Sequence, residues 1–101
     1  MTTTTPLPPK DATEIFVVGF DFASELAGST INTATMAVLL HEGTDPDPGV
    51  MLVGALSIVG STVLQLVQGG ITGNTYRLRC VATLANGQRR ALAAALQIRE
   101  A

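Results

Sequence analysis

"GNTYRLRCVATLANGQRRALAAALQI", residues 73–98, is the stretch that decides the fold. In its first half Tyr76, Leu78, Cys80, Ala82 and Leu84 hold alternate positions, and Arg77, Arg79, Val81 and Thr83 fill the places between. Successive side chains of a strand point to opposite faces, so this spacing gives one apolar face and one mixed, basic face. Asn86-Gly87 then supplies two residues that tolerate positive φ, as a type I′ hairpin turn demands. On the return, Arg90 leads into Leu92, Ala94, Leu96 and Ile98, again at alternate positions. The stretch therefore predicts an antiparallel hairpin whose two apolar faces meet one core.

The same reading extends outward. "EIFVVGFDF" (14–22) is β-branched and aromatic and predicts a strand, with Gly19 as a bulge or bend. "FASELAGST" (22–30) is a single helical turn or a loop that returns Leu26 to the core. In "STINTATMAVLLHEG" (29–43), Ala34, Met36, Val38 and Leu40 share one face and Thr33, Thr35 and Ala37 the other. Period two with threonines favours a strand, while the alanines and leucines keep a helix as the alternative. "GTDPDPG" (43–49) is a loop, since two prolines and two aspartates suit no regular element. "VMLVGALSIVG" (50–60) and "STVLQLVQGG" (61–70) are two short strands around a tight Gly60-Ser61 turn. The fold class that follows is all-β: an immunoglobulin-like or fibronectin type III-like β-sandwich of about six to seven antiparallel strands. It occupies residues 12–101 after a flexible Thr/Pro-rich tail at 1–11. Tyr76 opens the penultimate strand, where such sandwiches commonly bond a tyrosine hydroxyl back to the upstream chain.

Composition bounds function. The chain has 101 residues, enough for one domain. Hydrophobic residues make up 47% and charged residues 14%, against roughly 25% charged in a typical soluble domain. So few charges leave weakly polar surface suited to contact with other chains. A net charge of −2 gives no electrostatic case for nucleic acid. The charges are nevertheless segregated: seven of eight acids precede residue 48 and five of six bases follow residue 76. Cross-strand pairing inside one domain is one reading, and complementary faces of stacked subunits is the other. The start, "MTTTTPLPPK", has no apolar h-region and is not expected to be a signal peptide. Residues 48–76 carry no charge, but six glycines and Ser57, Ser61, Gln65 and Gln68 break the run. No transmembrane helix is expected there, and synthesis in the cytoplasm is the default.

The search for chemistry returns little. His41 and Glu42 with Asp45 and Asp47 are the sole cluster of metal-ligand types, and zinc sites want His or Cys in spaced pairs. A solvated loop is the better reading, so no metal or cofactor is expected. Cys80, a lone cysteine on an apolar strand face, reads as a buried structural thiol. Gly69, Gly70 and Gly73 lack the lysine and following helix of a phosphate loop. Arg77, Arg79, Arg89 and Arg90 form a basic candidate contact face, and the loop around Asp45 and Asp47 a second. No catalytic residues emerge, and an enzyme is not expected.

The chain also resembles small virion-associated proteins of tailed bacteriophages, the fibre–tail adaptor and minor tail or head proteins of immunoglobulin-like fold. Asp21, Phe22 and Leu26 carry the likeness, with Gly43-Thr44-Asp45, the run from Leu64 through Gln68-Gly69-Gly70 to Tyr76-Arg77-Leu78, and the closing Asn-Gly hairpin. It covers about 80 residues. The resemblance implies a structural protein of the virion, as connector or adaptor near the tail. Its implied partners are other virion proteins, with self-association in the particle left open, and neither nucleic acid nor membrane. The alternative class is an adhesion module for host-surface carbohydrate or another receptor. Phe16, Phe20, Phe22 and Tyr76 read as core residues, which counts against a stacking site.

Overall fold

The computed structural model describes residues 4–7 and 9–100. The parts of the expected tail at 1–3 and 8, and the domain end at 101, lie outside the described residues. The strands are β1 (Thr4–Pro6), β2 (Phe16–Asp21), β3 (Ile31–Glu42), β4 (Leu52–Val59), β5 (Thr62–Val67), β6 (Thr75–Leu84) and β7 (Arg89–Gln97). One sheet has the order β1-β7-β6-β3 and the other β2-β5-β4. Apart from β1, which runs parallel to β7, all pairings are antiparallel. The molecule is an all-β sandwich.

The alternation in β6 is what builds it. Tyr76, Leu78, Cys80, Ala82 and Leu84 are all buried, opposite Leu96, Ala94 and Leu92 on β7 and Leu40, Val38 and Met36 on β3. Val18, Phe20 and Phe22 come down from the facing sheet with Val63 and Val67. Each fully buried Leu, Val or Phe stabilises the fold by about 1.5–3 kcal/mol. Such burial outweighs the modest helix propensity of the alanines and leucines, so residues 31–42 form one long strand.

Several local expectations are corrected. Gly19 makes no bulge: β2 pairs with β5 without a register break from Phe16 to Asp21. Its role is room, because a Cβ there would stand 3.2 Å from Leu64 Cδ2. The Asn86-Gly87 turn is not type I′. Gly87 alone takes positive φ, at 89°, and Asn86 does not. Gly87 N donates to Leu84 O, and Leu84 N donates to Gln88 O, which closes a three-residue loop with glycine in the left-handed position. Asn86 caps it by accepting from Gln88 N through Oδ1. Residues 48–51 form a 3₁₀ turn, so β4 begins at Leu52 and not at Val50. Residues 22–30 are a loop, and Leu26 packs against the core from it.

β1 lies within the stretch that composition marks as a tail. Beyond it the chain keeps to β7: Leu7 N donates to Ala95 O, Lys10 N to Gln97 O, and Arg99 N to Lys10 O.

Candidate functional site

The outward positions of β6 place Arg77 between Leu39 and Ala95, and Arg79 between Ala37 and Ala93. Arg89 sits opposite Thr83 on the same face, whereas Arg90 sits opposite Ala82, in the phase that points inward. No acid stands opposite any of these arginines, so cross-strand pairing does not explain the charge segregation. Arg77 and Arg79 are two residues apart, about 7 Å at strand rise. Arg89 is four positions further along β6, about 13 Å from Arg79, which exceeds the Debye length of about 8 Å at physiological salt. The structure thus brings Arg77 and Arg79 together and leaves Arg89 and Arg90 apart, at the hairpin end. Around the pair the face carries small side chains, Thr35, Ala37, Ala91, Ala93 and Ala95, with the larger Leu39 and Val81 among them.

The two aspartates of the 43–49 loop have different fates. The buried Tyr76 hydroxyl donates to Asp45 Oδ2 at 2.7 Å and accepts from Ile71 N at 3.1 Å. Buried Asn74 completes the cluster, its Nδ2 donating to Thr44 O at 2.9 Å and to the Tyr76 oxygen at 3.3 Å. Asp45 Oδ1 accepts from Asp47 N. Asp45 is therefore an internal fastener that ties the loop to the turn before β6, and Asp47 is the exposed carboxylate of the pair. Burial, then the hydrogen bond to Asp45, raises the Tyr76 pKa above its ordinary value, and so holds the phenol neutral. Among the described residues, no three of His, Cys, Asp or Glu are grouped so as to hold a metal ion. Cys80 is a free, buried thiol whose pKa burial pushes up to about 11. Among the described residues, no helix is long and apolar enough to cross a membrane.

The family model for podophage GP4 fiber-tail adaptor protein gp77 matches residues 10–97. The chain belongs to this family. No curated protein matches it. The match begins at Lys10, where the chain first meets Ile98 beside β7, and ends with β7 itself. It thus covers both three-stranded antiparallel halves of this fiber-tail adaptor.

Three features of this adaptor were hidden in its sequence. Lys10 is fully buried, with Nζ donating to Asp11 O at 2.9 Å and Gly69 O at 2.8 Å and lying 5.8 Å above the Phe16 ring. Loss of hydration lowers its pKa, and Glu14 and Asp11 oppose that shift. Gln65, which reads as a polar break, is buried opposite a register break in β4 between Val53 and Ser57. Its amide donates to Val53 O, at the start of the break, and to the neighbouring Leu66 O, each at 3.0 Å. The third feature is an apolar outer surface on the smaller sheet. Val17 (58% exposed), Val59 (62%) and Leu66 (37%) lie there with Leu64 and Val53, and Ile15 (60%) precedes β2.

Proposed function

We propose that this adaptor is a connector module of the phage virion, at the tail or fibre–tail junction, and that it works by protein–protein assembly and not by catalysis. Family membership over residues 10–97 is the observation that carries the reading. The surface supports it. Leu39, Val50 and Ile71 add to the exposed residues of the smaller sheet, so large apolar side chains occur on both sides of the sandwich. Low charge density suits burial between neighbours. The partners are other virion proteins, with copies of the chain itself among them in the particle, and not nucleic acid. Synthesis takes place in the host cytoplasm. The strand orders β2-β5-β4 and β3-β6-β7 parallel the B-E-D and C-F-G orders of immunoglobulin-type sheets, which supports that subclass of sandwich.

Arg77 and Arg79 form one contact face in this reading, and Asp47 belongs to another. Arg79 is exposed and has no acid opposite it, so Arg79→Glu is expected to shift stability by no more than about 0.5 kcal/mol. Complementation of a phage lacking the gene tests the face. Arg79→Glu protein that folds but is excluded from particles supports it, and normal incorporation removes Arg79 from the interface. Phe20, Phe22 and Tyr76 are buried, which leaves the carbohydrate-adhesion reading without their rings as a stacking surface.

A further inference from the structure

We infer that the free edge of β2 is a docking site for an extended, apolar segment of another protein flanked by basic residues, which adds to the smaller sheet as a fourth strand. The inference deepens the assembly reading and rests on it for the kind of partner.

The four sheet edges of the sandwich are treated differently. β1 is three residues long and ends in Pro6, which has no N–H to offer. β3 and β4 pack against each other and close one side, and β4 is further broken between Val53 and Ser57, where Gly54 takes a φ of 66°. Among the described residues, β2 has none of these protections. Its six residues, FVVGFD, pair with β5 on one side without a break and have no strand on the other among the described residues. Natural edges of this length are normally blunted by lysine, proline or a bulge, because bare N–H and C=O groups template pairing with another chain. β2 carries no lysine, no proline and no bulge.

A groove runs beside this edge. It consists of two adjoining hollows of about 360 and 260 Å³ that share Leu7 and Gly19. Phe16 lines the first, and Leu92 and Ala93 line the second. An added strand would lay alternate side chains into this groove, and the others would continue the outer face of Val17 and Leu66. In the immunoglobulin order A-B-E-D, strand A lies beside B, which is the place left open beside β2; here β1 runs beside β7.

Charge decides the occupant. Glu14 lines one hollow and Asp21 the other, and both residues are exposed. They stand at the two ends of the edge, Asp21 closing β2 and Glu14 two residues before its start. A second copy pairing its own β2 across a two-fold axis would set Phe16 opposite Asp21, and each Glu14 within two positions of the other copy's Asp21. Like charges so placed are unfavourable. A segment with an apolar centre and a lysine or arginine at each end meets both carboxylates.

The test is titration of the full, isotope-labelled chain with a blocked peptide of alternating valine and threonine ending in lysine on both sides, read by amide chemical shifts and hydrogen exchange. The expected result is shift changes concentrated between Glu14 and Asp21, with slowed exchange along β2. Glutamate in place of the end lysines should weaken binding roughly two- to tenfold, the effect of two exposed ion pairs. N-methylation of alternate peptide nitrogens on one edge should abolish binding. Shifts centred on the Arg77 and Arg79 face, equal binding of the methylated peptide, or no binding at millimolar peptide overturns the inference. So does a dimer in sedimentation whose β2 shifts appear without peptide, since that assigns the edge to a second copy. Absence of the protein from virions would sink the adaptor role yet leave this binding result intact, so the two failures are distinguishable.

Discussion

Tyr76 shows how much of the sandwich hangs on one polar atom inside an apolar end. Its hydroxyl serves Asp45, Ile71 N and Asn74 together, and so joins two segments, the 43–49 loop and the turn before β6. Tyr76→Phe removes that centre and leaves the Ile71 N–H without this partner, at an expected cost of about 1–3 kcal/mol. Asp45→Asn should be largely redundant with it. A denaturation double-mutant cycle is expected to give a coupling of about 0.5–3 kcal/mol, and strict additivity would show that the hydroxyl and carboxylate act independently. Cys80 sets an alkaline limit. Its folded thiol ionises at about 11 against an ordinary 9.0. The folded state thus keeps a proton that the unfolded chain loses first, so this contribution is whole below pH 9 and lost as pH rises to about 11. The difference amounts to about 2–3 kcal/mol. Tyr76, raised for the same reason of burial, adds to the loss above its ordinary 10.0, whereas Lys10, lowered by burial, acts in the opposite direction. Urea midpoints between pH 8 and 11 should therefore fall less steeply for Cys80→Ala than for the parent. Parallel curves would contradict a buried, neutral thiol.

At the level of the elements, the hairpin from β6 to β7 separates what local sequence encodes from what it does not. The faces of both strands were legible because a period of two needs no knowledge of neighbours. The turn type was not, because Asn86-Gly87 fits a two-residue turn and a three-residue loop equally well, and cross-strand register chooses between them. The distinction is measurable. Gly87→Ala is expected to cost about 1–2 kcal/mol, since only Gly87 occupies the left-handed region. Asn86→Ala should lose only its bond to Gln88 N, about 0.5–1.5 kcal/mol. Equal strain-sized losses at both positions would restore the two-residue turn. Gln65 and Lys10 were illegible for a related reason. The value of each polar group depends on carbonyls far away in the chain, at Val53 and Gly69 respectively. The same holds of the candidate contact face. Alternation puts Arg77 and Arg79 on the outside of β6 and adjacent Arg89 and Arg90 on opposite faces, but only the β7 register sets Arg89 four positions from Arg79. The open edge of β2 likewise depends on strand order across the whole sheet, which periodicity does not contain.

At the scale of the whole molecule, the sandwich leaves a sparse basic pair on one sheet, an apolar surface on the other and, among the described residues, an unpaired β2 edge beside two hollows. In the proposed reading these are surfaces for neighbours, and they would give physical content to membership in a fiber-tail adaptor family. Mass spectrometry of gradient-purified phage particles, calibrated for copy number, asks most directly whether the chain serves a virion. A constant small copy number per particle, retained through the gradient, is the expected outcome, and antibody labelling should place it at the tail. Protein abundant in the lysate but missing from the particles would contradict the connector role.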